Sequence, residues 1–128
     1  MFIRFVIAKL DPDSGRRQGL FQAAARLQDS RLLSAHEEKQ LQGIYKWFGQ
    51  NLKKPARLSL SAKPNSKAQA ISWFKDTATD HISQMRAFVA MLELHDISVE
   101  VLKTERPGYV IYEDAFQIAA YPFADTPT

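Results

Sequence analysis

Arg16 and Arg17 are adjacent guanidinium groups that follow the turn-forming run Asp11-Pro-Asp-Ser-Gly15 and precede a stretch with helical spacing. At a helix N-terminus two cations sit beside unpaired N–H donors and the positive end of the macrodipole, a placement opposed by about 0.3–1 kcal/mol per charge. An anion bound there would be held by both arginines and by the free N–H groups. The pair is therefore a candidate site for phosphate or carboxylate, with neutralisation by Asp11 and Asp13 as the competing explanation. Further along, Lys53, Lys54, Arg57, Lys63 and Lys67 could extend a basic strip. Nucleic-acid binding needs several such charges on one face, with aromatic platforms adding single-strand stacking. Lys53 and Lys54 end a helix, where cations suit the dipole without any ligand, and a solvated loop accounts for the others.

Catalytic chemistry has less support. Asp76 and Asp80 stand one helical turn apart, a spacing at which paired carboxylates can split their pKa values, and His81 adjoins them. Both carboxylates fall opposite the apolar stripe of their helix, where Asp is ordinarily solvated, and His81 lies on its flank. His36 sits in a first helical turn and His95 closes a helix, both structural positions. His36-Glu-Glu-Lys-Gln40 begins like a zinc-protease helix but has Gln40 where the second histidine belongs. Asp11-Pro-Asp-Ser-Gly15 begins like a calcium loop, yet its glycine comes one place early and Gln22 replaces the bidentate Glu. The glycines form no phosphate-cradling pattern, there is no nucleophile elbow, and cysteine is absent. No catalytic residue, metal ligand or cofactor is assigned on this basis.

The elements that must position these residues follow from periodicity. Phe2 to Lys9 predicts a strand with Phe2, Val6 and Ala8 on one face and Ile3, Phe5 and Ile7 on the other, apolar on both sides and so covered on both. A helix is expected over 16–28, with Leu20, Phe21, Ala24 and Leu27 on one face. Ser34-Ala-His-Glu37 is a capping box that starts a second helix, carried by Leu41, Ile44, Tyr45, Phe48 and Leu52 until Lys53-Lys54-Pro55. Residues 55–66 are Pro-, Ser- and Lys-rich and read as irregular, with an edge strand at Leu58-Ser-Leu60. A third helix is expected over 67–95, on the stripe Ile71, Phe74, Ala78, Ile82, Met85, Val89 and Leu92. Strands then follow at 98–103, 109–113 and 116–121, the first two joined through Pro107-Gly108, a pair suited to a turn with one positive φ.

The order β-α-α-α-β-β-β predicts an α+β fold: a C-terminal three-stranded antiparallel meander with the N-terminal strand beside it, and helices on one face. One domain spans 1–128, with 124–128 a frayed tail. At 100° per residue, Trp47 falls about 120° from the stripe of the second helix and Trp73 about 160° from that of the third. Trp73, Phe88 and Met91 then form either a second internal contact or an apolar surface for a partner.

Composition sets the class. With 45% apolar and 24% charged residues in 128, the chain is an ordinary globular protein. Residues 1–63 carry twelve Lys/Arg against five Asp/Glu, and residues 64–128 carry five against nine. A basic half invites an anionic partner, and the acidic half can answer it internally. No apolar run reaches the ~20 residues of a membrane span, and the opening segment lacks signal-peptide features. The leading expectation is a small cytoplasmic, non-enzymatic binding or regulatory module that associates with itself or another protein through Trp73, Phe88 and Met91. The alternative is a nucleic-acid or phosphate-ligand binder using Arg16, Arg17, Lys53, Lys54, Arg57, Lys63 and Lys67. An enzyme using His81 with Asp76 and Asp80 is the third.

Overall fold

A computed structural model of the chain describes residues 1–12, 15–54 and 70–128. Its central element is β1 (Phe2–Leu10), whose Phe5, Val6 and Ile7 are buried in succession because both faces of the strand are covered. β1 has three antiparallel partners. Strand β4 (Glu100–Thr104) pairs with Phe2 to Val6, β3 (Ile71–Lys75) with Phe2 and Ile3, and β2 (Arg17–Gly19) with Val6 and Leu10. A residue has one ladder partner per edge, so β4 holds one edge of β1 while β3 and β2 divide the other. Beyond β3 come β6 (Gln117–Tyr121) and then β5 (Tyr109–Glu113).

Three helices pack on one face of this sheet. They are α1 (Leu20–Asp29), α2 (Ala35–Asn51) and α3 (Thr79–Glu93), and their buried side chains form one cluster with Phe5 and Ile7 of β1. The opposite face gathers Val6, Ile71, Trp73, Leu102, Ile118 and Ala120. A large side chain fully buried this way contributes about 1.5–3 kcal/mol, so the two clusters hold the layers together. The α+β class and the single helical face follow the sequence pattern. So does the start of α2: Ser34 Oγ accepts from the Glu37 N–H at 3.1 Å and Glu37 Oε1 accepts from the Ser34 N–H at 3.0 Å.

Three expectations need correction. The expected helix over 67–95 is a strand, a turn and a helix: β3 at Ile71–Lys75 and α3 from Thr79. Ile71 and Trp73 are buried on one side of β3 and Phe74 lies on the other, the two-residue alternation of a strand. A short apolar run fits both periods, and its place between β1 and β6 decides the outcome. The expected helix over 16–28 begins only at Leu20, because Arg17, Gln18 and Gly19 pair with β1 instead. The C-terminal meander is a hairpin of β5 and β6, since β4 pairs with β1. The C-terminal residues are bonded to the rest of the fold. Thr126 is buried, its Oγ1 donates to the Arg106 carbonyl at 3.1 Å, and the Thr128 carbonyl accepts from the Arg17 N–H at 3.1 Å.

Moving Ile71–Lys75 into the sheet also relocates the proposed partner surface. Trp73, Phe88 and Met91 are 1%, 0% and 2% exposed in the single chain. Trp73 faces the sheet cluster, while Phe88 and Met91 face the helical one. The three are internal packing and offer no patch to a partner. Residues 55–66, with Leu58-Ser-Leu60, lie outside the described residues.

Candidate anion-binding cavity

Because β3 meets β1 only at Phe2 and Ile3 and β2 takes over from Val6, the edge of β1 at Arg4 and Phe5 has no ladder partner among the described residues. The two strands part there. A cavity of about 770 Å³ opens in the gap, reaching from Arg4 and Trp73 in the sheet to Phe21 and Tyr45 under the helices. That volume is within the usual range for small-ligand sites, about 300–1,000 Å³.

Five cationic side chains line it, Arg4, Arg16, Arg17, Lys53 and Lys54, together with one carboxylate, that of Asp11. Arg16 is brought there by a closed turn, in which the Asp11 N–H donates to the Arg16 carbonyl at 2.7 Å and the Gly15 N–H to the Asp11 carbonyl at 2.8 Å. Gly15 takes φ +70°, a conformation that glycine adopts without a Cβ penalty. Arg17 is fixed by β2 and pairs through Nη1 with Glu100 Oε2 across β1. Arg4 donates from Nη2 to the Arg17 carbonyl at 2.6 Å and from Nη1 to the Thr128 carbonyl at 3.3 Å. Burial, reinforced by the positive charges of Arg17 and Arg16, pushes the Arg4 pKa down to about 10. The guanidinium stays charged at neutral pH, in surroundings that disfavour the charge. The N-terminus of α1 opens on the same cavity with Gly19 as its cap, no capping side chain, and no acidic residue in the first turn.

The opposing wall is aromatic. Phe21 stacks on Tyr45, with ring centroids 5.8 Å apart at 27°, and meets Phe48 edge-on at 5.3 Å. Phe48, Trp73 and Phe74 belong to the same apolar lining. Burial, and then the Glu38 charge, raise the Tyr45 pKa, so its hydroxyl remains a protonated donor.

The strand-like segment after α2 carries Lys53 and Lys54 and is held from behind. His81 Nε2 donates to the Asn51 carbonyl at 2.8 Å, and Gln117 Nε2 donates to the Lys53 carbonyl at 2.6 Å. Both side chains are only 4% exposed. Gln117 Nε2 also reaches Asp114 Oδ2 at 3.1 Å. Burial opposes the Asp114 charge, but donors from Phe116, Gln117 and Tyr112 outweigh it and keep that carboxyl below its ordinary range.

The sequence marked Arg16–Arg17 and Lys53–Lys54 as separate features, and the fold brings the two pairs to one cavity. Arg57, Lys63 and Lys67 lie outside the described residues. Arg16 and Arg17 precede α1 rather than standing in its first turn. Arg4 escaped the sequence reading, although a charge inside an otherwise apolar, doubly covered strand was the available signal. His81 is enclosed by the rings of Phe116 at 4.4 Å and Trp47 at 4.9 Å, and its Nε2 is committed to a backbone carbonyl. Asp76 and Asp80 are exposed and make no hydrogen bond with it among the described residues. No group of three or more metal-ligating side chains occurs among the described residues, and no described helix is long and apolar enough to cross a membrane.

The fold and cavity together define an α+β domain with a cationic, aromatic-walled pocket in a split sheet. A scan of protein-family models and searches of the curated proteins and of solved structures give no match to this chain.

Proposed function

We propose that this chain is a binding module for a small organic anion, received in the cavity between β1 and β3. One observation carries the reading: Arg4, Arg16, Arg17, Lys53 and Lys54, drawn from three separate stretches of the chain, line one cavity that is otherwise largely apolar. Guanidinium groups suit phosphate and carboxylate because their paired N–H donors match two oxygens at once. Burial first, and then the charges of Arg17 and Arg16, lower the Arg4 pKa, and an anion beside the two arginines would relieve the part that is charge repulsion. Apolar walls lower the local dielectric and strengthen each ionic contact. A cavity of this size favours a small molecule over a nucleic-acid strand, which needs phosphate contacts spread along a face.

Calorimetric titration of the full chain with inorganic phosphate, at low and at moderate salt, tests the proposal. Binding should weaken as salt rises and should be lost in the Arg16→Ala/Arg17→Ala double variant. Thermal melting checks that the double variant keeps its fold; the Arg17–Glu100 pair it removes is exposed on the Glu100 side, and such pairs are worth about 0–1 kcal/mol. Phosphate binding that is unchanged in the double variant would refute the proposal.

A further inference from the structure

Phe21 is held on several sides and yet left open. Its ring stacks on Tyr45 and is met edge-on by Phe48 at 84° and by Phe88 at 87°, both at 5.3 Å, but the residue is 38% exposed. Phe88, by contrast, is fully buried. Phe21 and Tyr45 both line the cavity, so together they form a two-ring shelf braced from behind. A shelf already fixed by packing loses little conformational freedom when a ligand settles on it. Phe21 stands in the first turn of α1, four residues after Arg17, so the shelf and the guanidinium cluster are neighbours along the chain and share one space.

An anion with a compact or flexible body would gain nothing particular from such a wall. A flat ring would, because offset stacking on aromatic side chains adds to the simple burial of area. We infer that the ligand is a phosphate monoester of a flat aromatic ring, a class that includes nucleoside monophosphates. Its phosphate would sit among Arg4, Arg16 and Arg17, and its ring on Phe21 and Tyr45. This inference rests on the anion-binding reading and names the ligand class for that same site.

Calorimetry on the full chain with inorganic phosphate, hexyl phosphate, phenyl phosphate and adenosine monophosphate separates the two. All four should bind, and the two ring-bearing esters should bind about tenfold tighter than hexyl phosphate. Phe21→Leu and Tyr45→Leu, each checked by thermal melting, keep apolar bulk and remove a ring. Each should bring the affinity of the ring-bearing esters, taken as a ratio to that of hexyl phosphate in the same variant, down towards one. Equal affinity for phenyl and hexyl phosphate, or a ring preference that survives both substitutions, would overturn the aromatic assignment and leave the anion site standing. Failure of all four to bind would overturn the anion reading, and the ligand class with it. A 5′-phosphorylated trinucleotide distinguishes the sources: tighter binding than the monophosphate assigns the ring to a strand end, and equal or weaker binding to a free nucleotide, both in support of the ring.

Discussion

Arg4→Met removes the charge that Arg17 and Arg16 oppose while keeping an unbranched apolar stem. In the fold the Arg4 pKa is lowered from its ordinary value to about 10, chiefly by burial and then by Arg17 and Arg16. For a base whose folded pKa is depressed, the unfolded chain binds more protons between the two values, so stability rises with pH across that window. At one pKa unit per 1.36 kcal/mol, holding the charge in the fold costs about 3 kcal/mol at neutral pH. That cost begins to lift as the pH passes 10. Integrating between pH 8 and pH 10.5 gives the wild type a gain on the order of 1 kcal/mol relative to the variant. Urea melts of both proteins at the two pH values measure it, and taking the difference cancels lysines and tyrosines that titrate alike in the two proteins. Repeating the melts in phosphate should shrink the gain, because an anion beside Arg16 and Arg17 raises the Arg4 pKa back towards its ordinary value. A wild-type-minus-variant difference that stays flat from pH 8 to pH 10.5 would show that Arg4 feels neither burial nor its neighbours. The electrostatic argument for the site would then fail.

Two further outcomes follow from the packing. Gly108 has φ +132°, and a Cβ there would lie 2.0 Å from the Tyr121 carbonyl oxygen and 2.8 Å from Pro122 Cα, backbone atoms that cannot swing aside. Gly108→Ala should therefore cost more than about 3 kcal/mol in urea denaturation, whereas Gly43→Ala, in α2 with nothing near its Cβ, should stabilise by about 0.5–1 kcal/mol. Gln117→Leu leaves the Lys53 carbonyl without its buried donor, which should cost about 1–3 kcal/mol of stability and loosen phosphate binding severalfold by calorimetry.

Much of this architecture was legible where local chemistry and tertiary context agree. Ser34 and Glu37 announce α2 by spacing alone, and Pro107-Gly108 announces a turn whose glycine the packing against Tyr121 then makes obligatory. Ile71 to Lys75 was illegible for the opposite reason. Its apolar spacing continues that of α3, and only the open place between β1 and β6 makes it a strand. Trp73 shows the consequence, since a residue placed behind a helix stripe by 100° steps is the buried centre of a strand face. For the site, the two basic pairs were visible one at a time. Their convergence was not, because it depends on β2 and β3 sharing one edge of β1, a long-range arrangement that no local pattern encodes.

The three partners of β1 also bear on how the chain reaches this state. Phe2 pairs with Thr104 and Lys75, so the strand at the heart of the sheet is synthesised long before either partner exists. Pairings this distant in sequence close late and fold slowly. Meanwhile Phe2-Ile-Arg-Phe5, beyond the reach of β2, is a β-prone apolar stretch with both distant partners still missing, the kind that nucleates intermolecular strands. Its one charged residue is Arg4. The side chain that costs the finished fold stability is thus also the one charge that opposes association of this segment with its like before β4 covers it.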